Sequence, residues 1–369
     1  MRRVDVRTIP EGAILARPLV DQRGAFVLAA GKPVSEAMRE RLWDRGFRYA
    51  YIEAPGFEGL DVREPLTDQT YQLVRHTLAQ VVAEVRHCKD PGEVSLPVDE
   101  LHEACNVSCE DLARQQQGFL FYPPWGTLAD RFVAQSINIA VVAARLGFEL
   151  AGEEGARHLF LAGLLQDLGQ WWDDRPSEHV AASLSLVRGL RSISAWVKHI
   201  IADHHERLDG SGYPQGKTAE QLHPLSRIMA VATAYVEMVF APRHPTLPHE
   251  AQEHLMAEAG VLFDWDAVQA LRRLVPGYPV GSVVRLSTGQ WGVVVDPGPP
   301  TLNRPRVRLL AQPGRGEDDG AGAGDEASPE VAAGAGEGAV PEGSGEPASY
   351  EEIDLAAQHA VAIVRLLDR

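Results

Sequence analysis

The chain has 369 residues, enough for two or three domains, and 45% of them are apolar, which leaves ample material for a core. Its formal charge is −16, but between Gln312 and Ser349 nine acidic residues stand against one basic residue, Arg315, so that segment alone carries −8. The remainder is only mildly acidic, which argues against a DNA or an anionic-membrane partner. Cys88, Cys105 and Cys109 are too few for a disulfide framework, and Cys105 and Cys109, four apart on one helix face, read as a buried pair of small residues rather than half of a metal site. No apolar signal core follows Met1-Arg2-Arg3-Val4-Asp5. The longest apolar-rich run, from Ile137 to Phe148, is too short to span a bilayer and is interrupted by Asn138 and Arg145. A cytoplasmic protein is expected.

Residues 1–60 read as a small N-terminal α/β module. Alternation over Ala13 to Val20 and Ala25 to Leu28 predicts paired strands around Asp21-Gln22-Arg23-Gly24. Ser35 is an N-cap for a helix to Arg45, and Tyr49 to Ile52 is a further strand. From Thr67 the apolar period becomes helical, with Leu73, Val74, Leu78, Val81, Val82 and Val85 on one face. Further helices are expected at about 98–117, 127–147, 153–169, 177–189, 193–205, 224–240, 248–260 and 264–275, giving an all-α domain over residues 65–277. The fold class is therefore mainly α.

Beyond Pro276-Gly277-Tyr278-Pro279 the period changes to two, and Ser282 to Leu286, Trp291 to Asp296 and Pro305 to Leu310 read as short strands. These belong to a small β-rich C-terminal module over residues 278–311 and 350–369. Residues 312–349, with ten glycines, four prolines and almost no large apolar side chains, cannot offset their own ordering entropy and are expected to form a disordered acidic insert. After it, Ile353-Asp354-Leu355 precedes a short helix expected over Ala356 to Leu367.

The stretch richest in chemistry is His204-His205-Glu206-Arg207-Leu208-Asp209-Gly210-Ser211-Gly212-Tyr213-Pro214. Adjacent imidazoles and a carboxylate at the end of an apolar helix are the donor types a divalent transition metal takes. Gly210 and Gly212 permit close backbone approach and positive φ. Tyr213 offers a ring for base stacking, and Arg207 and Lys217 offer cations for phosphate; as single residues, both cations read more simply as solvated surface charge.

With these residues the chain resembles the HD-GYP family, the branch of the HD phosphohydrolases known for metal-dependent hydrolysis of cyclic di-GMP. The resemblance is carried by His204-His205-Glu206, Asp209-Gly210, Gly212-Tyr213-Pro214 and the apolar helix after them, and supported by Gln135-Ser136-Ile137-Asn138 and Leu165-Gln166-Asp167-Leu168-Gly169. It implies metal ligands at Asp167, His179, His204 and His205, with Asp167 catalytic if the protein is active. It also implies a ligand or partner loop containing Arg207, Asp209, Gly210, Gly212, Tyr213, Pro214 and Lys217.

Other positions depart from the family. Gln135 stands where a helix histidine is expected, and Arg131, one turn before it, replaces an acid. Gln166 replaces the histidine of the HD pair, Gln170 its later lysine, and Thr233 the late aspartate. Amide and hydroxyl oxygens are neutral, weak ligands, so a cluster of two or three metals is not expected. The four retained groups hold at most one divalent metal (Fe, Mn or Zn), or none, the histidines then serving as hydrogen-bonded core groups.

Three readings follow from this. One is a catalytically impaired HD-GYP module that senses cyclic di-GMP or a related nucleotide, or docks a diguanylate cyclase or another signalling protein. Another is an active cyclic di-GMP phosphodiesterase using a reduced site. A scaffold that binds neither metal nor nucleotide is the third.

Overall fold

The computed structural model describes residues 1–114, 121–173, 175–241, 245–299, 303–310, 350–358 and 360–366. The expected insert at 312–349, the last residues of the helix expected to reach 117, and Leu367 lie outside these. The fold is mainly α, with small strand modules before and after the helices in sequence.

At the N-terminus β1 (Arg2–Asp5) pairs antiparallel with β4 (Tyr49–Ile52), while β2 (Leu19–Val20) pairs with β3 (Phe26–Leu28). The turn between β2 and β3 is closed by Asp21, whose Oδ1 accepts from the backbone N–H groups of Arg23 and Ala25. Helix α1 (Glu36–Asp44) starts where expected, because the Ser35 hydroxyl accepts from the Met38 N–H. Val6, Ile9, Leu15, Val34, Leu42 and Phe47 form a small core of their own.

The helices that follow are α2 (Asp68–His87), α3 (Val98–Arg114), α4 (Leu128–Leu150), α5 (Gly152–Leu165), α6 (Pro176–Arg188), α7 (Ala195–Asp203), α8 (Pro224–Val239), α9 (Pro248–Glu258) and α10 (Trp265–Leu274). α4 is the central one. A reciprocal capping box between Thr127 and Asp130 starts it, and its apolar residues face α2, α5, α8 and α10. Among the described residues it is the one helix long and apolar enough to cross a membrane, and 78% of its most apolar window is buried inside the protein. α4 and α5 approach closely because neither carries a side chain at the crossing points. A Cβ on Gly163 would lie 2.7 Å from the Ala140 Cα, and one on Gly147 would lie 2.8 Å from the Ala156 Cα. That contact fixes the end of α5, where Asp167 follows.

At the C-terminus β5 (Val283–Leu286), β6 (Trp291–Asp296), β7 (Arg306–Leu309), β8 (Glu352–Asp354) and β9 (Ile363–Leu366) form an antiparallel sheet in the order β8-β7-β6-β5-β9. β9 corrects the helix expected over 356–367. Val361, Ile363 and Val364 are β-branched, and Ile363 packs toward Val284, Leu286 and Val294 while Val364 is exposed. The alternation, together with the open edge of β5, outweighs the helical propensity of the alanines before it.

Candidate metal centre and its loop

Three elements bring the retained residues together. Asp167 follows α5 at the start of a tight 3-10 turn, Leu168–Trp171. Gly169 lets that turn lie against α6, since a Cβ there would meet the His179 carbonyl oxygen at 2.0 Å, and its N–H donates to the Ser183 hydroxyl. His179 is on α6; His204 and His205 leave the end of α7. All four side chains are buried, and one donor atom from each lies within 4.8 Å of the others.

The hydrogen bonds set the donors' lone pairs. The His204 Nδ1 is 2.8 Å from the Ile201 carbonyl oxygen and the His179 Nδ1 is 3.3 Å from that of Arg175. A carbonyl only accepts, so each ring carries its proton on Nδ1 and leaves Nε2 bare. Both Nε2 atoms are buried without a hydrogen-bond partner among the described residues. They stand 3.6 Å (His204) and 3.7 Å (His179) from Asp167 Oδ1. Burial would raise the Asp167 pKa, but the His204 ring, the neighbouring His205 and the Gln166 amide hold it well below the usual carboxylate range. Burial, reinforced by His204, drives the His205 pKa down to about 2, and burial likewise lowers that of His179. At neutral pH the His179 and His205 rings are therefore neutral, and they stand with His204 around one carboxylate.

The glycine-rich loop is latched to the same place. Glu206 turns away from the histidines, and its two carboxylate oxygens accept from the backbone N–H groups of Gln215 (2.7 Å) and Lys217 (3.0 Å). Gly210 has φ +81°, and a Cβ on Gly212 would stand 2.4 Å from the Arg207 backbone nitrogen, so the turn needs both glycines. Asp209 is exposed and accepts from the Ser211 N–H and hydroxyl. Pro214, also exposed, follows a cis Tyr213–Pro214 bond. The Tyr213 ring stacks on His205 at 4.6 Å between centroids. Loop and histidines are thus one site.

Lys217 is not free to meet a phosphate, because its Nζ is 2.7 Å from the buried carboxylate of Asp203. Arg207 is half-buried, lies over the Phe263 ring at 4.7 Å and donates to the Glu206 carbonyl oxygen.

The HD domain family model matches residues 132–266, the span that contains all of these groups except the helix start before it. A cyclic di-GMP phosphodiesterase of Pseudomonas aeruginosa is 34% identical over 42% of this chain and 41% of its own. A cyclic di-GMP phosphodiesterase response regulator of Xanthomonas campestris is 31% identical over 41% of this chain and 44% of its own. Residues 132–266 thus carry an HD domain, and the chain resembles the HD-GYP branch of that family. It spans about two fifths of the length of these curated relatives. Among solved structures, an HDG"Y"P protein of Bdellovibrio bacteriovorus overlays with a TM-score of 0.41 and 16% identity, over 73% of this chain and 97% of its own.

Against the HD-GYP pattern, the positions that differ fall into two groups. Gln166 and Thr233 meet in the buried site: the Gln166 Nε2 donates to the Thr233 Oγ1 at 2.9 Å and to the Asp167 Oδ2 at 3.2 Å. Gln170 donates to the Asp167 Oδ1 at 3.0 Å. Arg131 is exposed on the first turn of α4, and neither it nor Gln135 makes a hydrogen bond or ion pair to the cluster among the described residues. The four retained groups fit one divalent cation. Donors around a tetrahedral metal stand about 3.3 Å apart at ligand distances near 2 Å, close to the spacing seen, and two bare Nε2 lone pairs have no other use. Sequence reading missed the latch made by Glu206.

Proposed function

We propose that this HD-GYP-like chain binds cyclic di-GMP or a closely related cyclic dinucleotide at a single-metal site and hydrolyses it poorly, acting as a regulatory module. The observation that carries this reading is the Gln166–Thr233 hydrogen bond: two positions that would add ligands instead satisfy each other with neutral groups. Asp167, His179, His204 and His205 would hold the metal, which supplies Lewis acidity toward a phosphodiester oxygen. Tyr213, half-buried on His205, presents the ring against which a base stacks. The phosphodiesterases named among the relatives support the nucleotide class. A second reading, an active phosphodiesterase on one metal, is favoured by the two unpartnered Nε2 atoms facing Asp167.

Elemental analysis, calorimetric titration with cyclic di-GMP and a turnover assay on one preparation separate the two. The expected result is about one metal per chain, measurable nucleotide binding, weakened about tenfold by Tyr213→Ala, and turnover far below the roughly 1–10³ per second usual for enzymes. Turnover in that range would establish the second reading. Absence of both metal and nucleotide binding would leave a scaffold. The triple variant Gln135→His, Gln166→His, Thr233→Asp should gain metal and turnover.

A further inference from the structure

His204 and His205 are bracketed by two acids, Asp203 and Glu206, and both acids close on the same residue. Glu206 Oε2 accepts from the Lys217 backbone N–H at 3.0 Å, and Asp203 Oδ1 accepts from the Lys217 ammonium at 2.7 Å. Asp203 is buried at the end of α7, where a carboxylate stripped of its cation is strongly destabilising. Lys217 is therefore held at its backbone and at the tip of its side chain, from both ends of the histidine pair.

Lys217 is also the returning end of the loop that carries Tyr213. The Asp209–Thr218 bridge closes the base of that loop, and the Ala219 N–H donates to the Leu208 carbonyl oxygen there at 2.9 Å. Above the base, the Tyr213 N–H donates to the His205 carbonyl oxygen at 3.3 Å and the Gln215 N–H to Glu206 Oε1 at 2.7 Å. The ties of Tyr213, Gln215 and Lys217 thus all end on residues 203–206. A cation that fixes the two imidazoles takes freedom from the acids on either side of them, and Lys217, gripped by both, passes that ordering to the loop.

We propose that Lys217 is a positioning residue that relays occupancy of the metal site to the Tyr213 loop, so that a bound divalent cation holds in place the ring offered to a base of a cyclic dinucleotide. This rests on the single-metal reading above. By linkage, the same coupling makes the nucleotide tighten the hold on the metal. A rival route runs directly through the stack of Tyr213 on His205, and the test separates the two.

The test is hydrogen exchange with and without Zn²⁺ alone, read at the Tyr213 and Gln215 amides of the wild type, Lys217→Met and Lys217→Arg. Calorimetry gives Zn²⁺ affinity, and metal-free melting temperatures establish that each variant is folded. The double variant Asp203→Asn, Lys217→Met removes both charges together and replaces Lys217→Met if the unpaired Asp203 unfolds it. In the wild type Zn²⁺ is expected to slow exchange at both amides at least about fivefold. Lys217→Met, or the double variant, is expected to bind Zn²⁺ without that slowing, and Lys217→Arg to keep it. A merely structural role would quicken exchange in both states and leave their ratio unchanged, so an unchanged ratio in Lys217→Met overturns the relay and leaves the His205 stack as the route. Loss of the slowing in Lys217→Arg as well reflects packing and overturns it too. A folded Lys217→Met or double variant that binds no Zn²⁺ makes Lys217 a support of the ligands and overturns the relay. Zn²⁺ binding by the wild type with no change in loop exchange overturns the relay alone. No Zn²⁺ binding by the wild type overturns the single-metal reading, and the relay with it.

Discussion

At the scale of single residues the site is governed by which lone pairs are left bare and which are spent. Glu206 spends both of its oxygens on its own loop, accepting from the Gln215 and Lys217 N–H groups while buried. Glu206→Gln turns one of those acceptors into an NH₂ that faces an N–H, and hydrogen bonds to a charged group contribute about 1.5–3 kcal/mol each. The variant should lose about 2 kcal/mol in urea unfolding, and hydrogen exchange should quicken at the Gln215 and Lys217 amides while the α4 amides stay protected. Equal exchange in variant and wild type would remove the latch. The buried histidines also make the metal-free protein sensitive to acid. His205 has its pKa driven down to about 2 by burial, so it stays neutral in the folded state while an unfolded histidine titrates near 6.5. Below that value the unfolded chain binds the extra proton, and stability falls by roughly 1.4 kcal/mol per pH unit for each such residue. Between pH 6.5 and 5, His205 alone should remove about 2 kcal/mol, and His179, lowered in the same direction, should add to it. Asp167, lowered below the usual carboxylate range, loses its contribution only at still lower pH. Urea midpoints of metal-free wild type and His205→Phe should diverge in slope across that window, and parallel slopes would contradict the assignment.

At the scale of elements the close crossing of α4 and α5 positions Asp167. A methyl at Gly163 meets Ala140 backbone atoms at 2.7 and 2.9 Å, contacts that no rotamer change relieves. Gly163→Ala should therefore cost about 1–3 kcal/mol by overpacking, read from thermal melts, and should lower metal content because the α5 end shifts relative to α6. The helices were legible in the sequence, since their 3.6-residue period and the cap at Ser35 are local signals. β1 was not, because Arg2–Asp5 has no alternation and becomes a strand only by pairing with Tyr49–Ile52. β9 was mistaken for a helix for the same reason: its partner, β5, is far away in sequence. The site was legible in part. His204 and His205 stand out as an adjacent pair, but the placement of Asp167 and His179 beside them depends on packing between helices. No periodicity shows that Glu206 points at its loop.

At the scale of the molecule the N-terminal strands act as a bridge. Arg3 donates to the Phe121 carbonyl oxygen in the helical body, while Arg308 on β7 donates to the carbonyl oxygens of Gly56 and Glu58, and Tyr350 donates to the Glu58 carboxylate. β7 and β8 are antiparallel neighbours, registered Arg306 to Asp354, Val307 to Ile353 and Arg308 to Glu352, and the Leu309 N–H donates to the Glu351 carbonyl oxygen at 2.8 Å. Leu310 and Tyr350 therefore end next to each other, at a spacing a short hairpin turn can close. Residues 311–349 connect them instead. The entropy of closing a loop rises by about 0.6 kcal/mol for each doubling of its length, so replacing 311–349 with a turn of about five residues removes roughly three doublings. The shortened chain should be more stable by about 2 kcal/mol, seen as a rise of several degrees in melting temperature. Its metal content and nucleotide affinity should match the wild type, because none of the site's groups lies on β7 or β8. A fall in melting temperature would mean that 311–349 adds stabilising contacts of its own. A fall in nucleotide affinity at constant stability would mean that its acidic residues act on the site from a distance.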